Sequence, residues 1–183
     1  MKEVTNLIAR LKSNEVGAFD LLVEQYGERL YWHIRRVVVQ HEEAEDILQE
    51  SFTRAFLSIN KFRGETEGSL TAWLYRIATT LSITALQKKR RGIFSSIDSV
   101  RGELLASFDE ELDPSADEIL IRLQKAVLSL PTKQRLVFNM RYYDELSFEQ
   151  ISQITGHSVS TLKTNYHYAV NRIKEEVRVI DIE

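Results

Sequence analysis

The stretch Ser147–Ile173, SFEQISQITGHSVSTLKTNYHYAVNRI, decides how the chain is to be read. Ser147 followed three residues later by Gln150 is a capping-box start, in which side chains and backbone amides satisfy one another. Phe148, Ile151 and Ile154 then recur at helical spacing. Gly156 breaks the pattern, and Ser158 stands where it can cap a second helix whose apolar positions are Val159, Leu162, Tyr166, Ala169 and Ile173. Ser152, four residues before Gly156, is small enough for two helices to approach closely. Helix, glycine turn and helix within this span make the pattern of a helix-turn-helix unit, which offers its second helix to the DNA major groove. A plain αα-hairpin has the same local signals, so the choice must come from the rest of the chain.

Outward from that stretch, the pattern is helical almost throughout. Two prolines and seven glycines punctuate 183 residues, and no extended segment alternates with period two. An amphipathic run from about Glu15 to Val39 places Phe19, Leu22, Val23, Tyr26, Leu30, Ile34, Val37 and Val38 on one side, with Gly17 and Gly27 each weakening it by roughly 1 kcal/mol. A second, from about Glu42 to Ile59, turns Ala44, Ile47, Leu48, Phe52, Ala55, Phe56 and Ile59 inward. A third, from about Ser69 to Lys89, runs through Leu70, Trp73, Leu74, Ile77, Leu81 and Ala85. The segment 62–68, FRGETEG, is a loop by its two glycines. In the C-terminal part, helices are expected from Ser115 to about Leu130 and from Pro131 to about Tyr143, with Pro131 in a first turn where no amide donor is missed.

Between these halves the periodicity lapses. Residues 92–117 carry seven carboxylates against the single cation Arg101, with frequent serine, and read as an acidic linker that is at least partly flexible. A short helix over Glu103–Phe108 is compatible with its few apolar residues. The expected architecture is therefore all-α: a small helical domain over 1–91, the linker over 92–117, and a helix-turn-helix domain over 118–183.

Composition narrows the function. There is no cysteine, so disulfides and thiolate metal sites are excluded. No apolar run reaches the ~18 residues of a membrane span, and the N-terminus lacks a signal-peptide core, so a cytoplasmic location is expected. The formal charge is −3 and the pI near 5.9. That is the wrong sign for strong unaided DNA binding, where phosphate neutralisation dominates affinity. Either DNA is not the target or another macromolecule delivers the chain to it.

Two further clusters bear on this. Asp46, Gln49 and Glu50 lie at i, i+3 and i+4 and project together from the second helix, with Thr53 and Arg54 one turn on. Such a stripe suits a metal, acid–base chemistry, an arginine-rich partner, or simply solvent. The metal reading is weak, since H-E-x-x-H is absent. In the third helix Trp73 falls on the buried stripe, whereas Tyr75, Arg76, Thr79 and Thr80 fall largely off it. With Phe62 and Arg63 in the preceding loop, they interleave aromatics and cations in the manner of a single-stranded nucleic-acid surface. Core packing is an alternative for Phe62 and Trp73, and for Trp73 it is the favoured one, since the apolar spacing accounts for it. Lys88, Lys89, Arg90 and Arg91 end that helix and suit either its dipole or phosphates.

Taken in order, these blocks resemble the extracytoplasmic-function (ECF) group of bacterial sigma factors. The carrying segments are AFDLLVEQYGERLY (18–31), AEDILQESFTRAF (44–56), FRGETEGSLTAWLYRIA (62–78), LPTKQRLVFNMRYYDELSFEQISQITG (130–156) and VSTLKTNYHYAVNRI (159–173), nearly the whole chain apart from the linker. The resemblance implies that Asp46, Gln49, Glu50, Thr53 and Arg54 dock on the clamp helices of the largest subunit of core RNA polymerase. It implies that Phe62, Arg63, Trp73, Tyr75, Arg76, Thr80 and Lys88 to Arg91 melt and read the −10 promoter element, with one base held in the loop. Ser158, Ser160, Thr161, Lys163, Thr164, His167 and Arg172 are implied to read the −35 element. An anti-sigma factor is an implied partner, while a catalytic centre, metal and cofactor are not, and a monomer is expected.

The chain also departs from that family. Thr80 stands where asparagine is common, offering one donor in place of two. Asn165, Tyr168 and Val170 stand where arginines are frequent, which shifts −35 contact onto the Ser158–Thr164 turn. Two other functions were weighed. A stand-alone helix-turn-helix regulator would leave the carboxylate stripe and the bipartite layout unexplained. An enzyme would need a phosphate loop, a nucleophile elbow or ligand-spaced histidines, and the four histidines, His33, His41, His157 and His167, are scattered.

Overall fold

In the computed structural model the described residues are 2–92, 102, 104–108 and 118–178. Among them the ordered elements are α1 (Lys2–Lys12), α2 (Ala18–Val38), α3 (His41–Ser58), a 3-10 turn (Ile59–Lys61), α4 (Glu67–Gly92), α5 (Glu118–Leu128), α6 (Thr132–Tyr142), α7 (Phe148–Thr155) and α8 (Val159–Arg178), with no strand. Residues 104–108 are also helical and bury Leu104; the rest of the acidic linker lies outside the described residues. No described helix is long and apolar enough to cross a membrane. The all-α expectation holds, with α1 as an addition that the sequence pattern had not marked.

The chain forms two compact units, the first over Met1–Ala85 with Gln153–Thr155 and the second over Leu86–Ser152 with Gly156–Glu183. In the first, α2 and α3 pack on one another and α1 packs on α2 and on the 3-10 turn. Leu22, Leu30, Ile34, Val37 and Val38 from α2 meet a core that includes Ala44, Phe52, Ala55, Leu70 and Leu74. The α2–α3 turn is tight: Val39 adopts φ 72° and its N–H bonds to the Arg35 carbonyl. A β-branched residue takes that conformation at a cost of about 1–3 kcal/mol, here offset by burial of its side chain.

A polar seam runs through this unit and corrects the reading of α4. Tyr75 is 1% exposed and packs, tilted by 59° at 4.8 Å, on the fully buried His33, whose Nε2 lies 2.9 Å from Thr79 Oγ1. Tyr26 is hydrogen-bonded to Thr71, and burial, the largest influence on its phenol, raises that group's pKa. Thr71, Thr79 and Ser82 are buried because each hydroxyl finds a partner, in Ser82's case the Ala78 carbonyl. The inward face of α4 is thus rotated toward Thr71, Tyr75, Thr79 and Ser82. Ile77, Leu81 and Ala85 are only partly covered. On the other helices Val23 and Phe56, expected inward, are 40% and 53% exposed. Phe56 instead sits at the core's edge, its ring 5.2 Å from Phe19 in an edge-on contact.

The second unit has a core of its own. Ala126, Val127, Leu130, Phe138, Ala169 and Ile173 form its core, with Leu123, Tyr143, Tyr166, Val170 and Val177 packed around them. Pro131 proves to be the residue before α6, not within its first turn: its ψ is 142° and its carbonyl accepts the Arg135 amide. Arg135 is buried, with Nη1 donating to the Leu128 carbonyl at 3.2 Å and Nε unpartnered. Burial pulls its guanidinium down to about 10, because desolvation disfavours the cation.

Candidate nucleic-acid and partner interfaces

Three exposed surfaces carry the residues singled out in the sequence. On α3, Asp46, Gln49, Glu50, Thr53 and Arg54 are all exposed, so helical spacing brings them together on one outer face. They are not equivalent. Arg54 Nε donates to Glu50 Oε1 at 2.7 Å, an i,i+4 pair between half-exposed side chains. Asp46 and the Gln49 amide have no such side-chain partner among the described residues, so they are the groups free to engage another molecule. Leu57, 74% exposed one turn beyond Thr53, puts an apolar residue at the end of this stripe. No group of histidines and carboxylates capable of holding a metal occurs among the described residues.

The second surface is the loop between the 3-10 turn and α4. Thr66 caps α4: Ser69 N–H donates to Thr66 Oγ1 at 3.2 Å, and Thr66 N–H donates to Ser69 Oγ at 3.1 Å. This is a capping box with serine at its third position. Phe62 folds inward, 6% exposed, its ring 4.9 Å from the half-buried Trp73 at an interplanar angle of 32°. Gly64 lies against the Phe62 ring and Ser69. A Cβ there would stand 2.4 Å from Phe62 Cζ and 2.3 Å from Ser69 Oγ, so only glycine lets the loop close over the ring.

Phe62 and Tyr75 were expected to face nucleic acid, and here the structure corrects the expectation. Phe62 is the floor of the loop, and Tyr75 belongs to the core beneath α4, where His33 and Thr79 draw it in. Trp73 is intermediate, with part of its indole reaching the surface. Arg63, Arg76, Thr80 and Lys88 are exposed and Lys89 is partly exposed. Arg90 and Arg91 fall in the last turn of α4, with their side chains outside the described residues. Thr80 is constrained in a way its position did not reveal. Its hydroxyl donates to the Arg76 carbonyl at 2.7 Å, so in this arrangement it presents lone pairs and no hydrogen outward.

The third surface is the helix-turn-helix. Ser147 and Gln150 form both arms of the capping box, with Ser147 Oγ accepting from Gln150 N–H at 3.1 Å and Gln150 Oε1 accepting from Ser147 N–H at 2.8 Å. Gly156 ends α7 at φ 74°, and its N–H donates to the Ser152 carbonyl. Ser152 does more than save space: its hydroxyl donates to the His157 carbonyl at 2.7 Å and braces the turn. Ser158 caps α8, its Oγ accepting from Thr161 N–H at 3.2 Å. Ser158, Ser160, Thr161, Lys163, Thr164, His167 and Arg172 are all exposed, while Leu162, Ala169 and Ile173 hold α8 to the core.

Within that face, His167 is bonded to Asn171 at 2.9 Å and Arg172 leans toward Glu176 at 3.6 Å. The base-facing contribution therefore shifts toward the helix start, where Ser160, Thr161, Lys163 and Thr164 are grouped. Tyr168, whose direction the sequence left open, points outward at 57% exposed. Lys163 Nζ lies 5.9 Å, and the Arg141 guanidinium 5.6 Å, from the centre of the Phe148 ring. Arg141 had not been singled out in the sequence, because its adjacency to α8 arises only through packing.

Residues 22–92 match Sigma-70 region 2, and residues 120–173 match Sigma-70, region 4. The chain is 31% identical to the ECF RNA polymerase sigma factor SigW of Bacillus subtilis, over 93% of this chain and 95% of that protein. It is 29% identical to the RNA polymerase sigma-H factor of Pseudomonas aeruginosa, over 94% of this chain and 92% of the relative. For the ECF RNA polymerase sigma-E factor of Escherichia coli the identity is 28%, with coverages of 94% and 93%. Among solved structures, CnrH in complex with the cytosolic domain of CnrY is similar at a TM-score of 0.69 and 19% identity, covering 96% of this chain and 97% of that one. The sigma factor RpoE in complex with the anti-sigma factor NepR from Bartonella quintana gives 0.69 at 20% identity, covering 90% and 99%. At those identities the structural likeness speaks for the fold.

Proposed function

Because this chain belongs to the ECF group of the sigma-70 family, we propose that it divides promoter recognition between its two units while core RNA polymerase supplies the general grip on DNA. Residues 1–91 dock on the polymerase through the α3 stripe and read the −10 element with the 62–69 loop and α4. Residues 118–183 read the −35 element with α8, and the 92–117 linker joins the two. The function is exercised by binding alone, with no chemistry performed by the chain's own side chains. The observation that carries this reading is the unpaired Asp46–Gln49 face on a chain of net charge −3. Such a chain needs a carrier already attached to DNA, and an exposed carboxylate and amide without internal partners are what a cationic partner surface takes.

Contacts sort by role. Lys163 and Thr164, at the exposed start of α8, are the pair best placed for base edges, and Arg76 and Arg63 serve the phosphates of the −10 strand. Thr80 acts as an acceptor only. Regulation by an anti-sigma protein is the expected control, by analogy with the complex of RpoE and the anti-sigma factor NepR.

Run-off transcription from a genomic library with purified core polymerase tests the proposal. Addition of the chain should create a defined set of start sites sharing spaced −10 and −35 elements. Identical transcripts with and without it, under conditions where core polymerase is active, would refute the assignment.

A further inference from the structure

We infer that Lys12, at the end of α1, is a phosphate-gripping residue of the −10 loop, which makes α1 part of the DNA-reading apparatus. The inference rests on the reading of the 62–69 loop as a single-strand site. It goes beyond that reading because α1 lies ahead of the region 2 match at residues 22–92 and contributed none of the residues assigned above.

Three observations converge on Lys12. Its ammonium lies 5.7 Å from the centre of the Phe62 ring, the ring that floors the loop. A cation over an aromatic face is held with one side toward the ring, leaving its other N–H donors to solvent or a ligand. Secondly, α1 packs directly on the 3-10 turn that leads into the loop, so the position of Lys12 is fixed by the fold. Thirdly, the two cations in the last turn of α1 are used differently. Arg10 Nε is tied to Glu15 at 2.8 Å, whereas Lys12 is exposed and has no carboxylate partner among the described residues. An ammonium left without an internal anion, beside a loop proposed to take a base, is suited to the phosphate of that nucleotide. Burial of Phe62 explains the division of labour: the ring cannot stack on a base without leaving its seat, but it can hold a cation at the rim.

The experiment uses holoenzyme and a fluorescent single-stranded oligonucleotide carrying the −10 non-template sequence, with affinity followed across salt concentrations. Lys12→Met retains a stem that can cover the ring and removes the charge; Lys12→Arg retains both. One lost phosphate contact on a single strand lowers the slope of log K against log salt by about 0.7 and weakens binding about fivefold near 0.1 M salt. Lys12→Met should show that change, and Lys12→Arg should stay near the parent. Arg76→Ala serves as the control on the underlying reading, and should also lower the slope. If Arg76→Ala responds and Lys12→Met keeps the parental slope, Lys12 does not grip the strand and the inference is overturned alone. If neither variant responds, the loop is not the strand's site and both readings fall. An equal affinity loss in Lys12→Met and Lys12→Arg with no change in slope would mark Lys12 as a packing residue and overturn its assignment to phosphate. Unchanged helicity of each variant excludes an effect through folding.

Discussion

The two elements proposed to face DNA are built by different means. The helix-turn-helix is assembled from local devices: a serine–glutamine capping box, a left-handed glycine, a serine brace on the turn and a second serine cap, all within twelve residues. The loop ahead of α4 depends on contacts between segments. Phe62 rests on Trp73, Gly64 leaves room for that ring, and α1 reaches the same ring through Lys12. A locally specified element tolerates changes elsewhere and loses stability in increments of one cap. An element specified by packing fails abruptly when one close contact is spoiled.

Substitution at Gly64 probes the abrupt kind and carries the largest expected effect. Gly64→Ala should destabilise the first unit by about 2–3 kcal/mol, since a methyl group cannot be fitted between Ser69 and Phe62 without moving one of them. Single-strand −10 binding should fall with it, and Phe62→Leu in the same chain should restore part of both. Normal melting temperature and −10 binding in Gly64→Ala would show that the loop is held more loosely than described.

On the proposed docking face, Asp46→Ala combined with Gln49→Ala should weaken association with core polymerase by about 2 kcal/mol with unchanged helicity. Co-purification at the parental level would remove the docking role. For α8, Lys163→Ala with Thr164→Ala should cost about 1.5 kcal/mol of duplex −35 binding and leave −10 melting nearly untouched. Equal losses at both elements would contradict independent reading by the two units.

Ser147→Ala measures the incremental kind. Loss of one side-chain cap should lower the stability of the second unit by about 1 kcal/mol, seen as a small drop in its unfolding midpoint. A collapse of −35 binding comparable to the Lys163 and Thr164 pair would mean that the helix-turn-helix is less autonomous than its caps suggest. The smallest effect is expected from Arg54→Ala. Its pairing with Glu50 is an exposed i,i+4 contact of the kind worth about 0.5 kcal/mol or less, so polymerase affinity should scarcely move in a competition assay.

Much of this was legible in the chain itself. The all-helical class, the break between two helical halves, both caps of the helix-turn-helix and the outward placement of Asp46, Gln49, Glu50, Lys163 and Thr164 follow from periodicity and capping chemistry. Those signals act over three or four residues, which is why a sequence can state them. Charge added one further inference, that a net −3 chain either does not target DNA or is delivered to it by a partner.

Tertiary structure decided what depends on which distant groups meet. Tyr75 and Thr79 look like surface residues by hydropathy, yet His33 and the packed side of α2 take them inside. A buried hydroxyl or phenol is tolerated wherever a partner stands within hydrogen-bonding reach, and that partner lies 46 positions away in the case of His33 and Thr79. The same limit applies to Gly64, whose requirement is set by Phe62 and Ser69, and to Lys12, whose neighbour Phe62 is fifty residues along the chain. Local order is written in spacing; the faces that α4 and α1 present are decided by the company they keep in the folded unit.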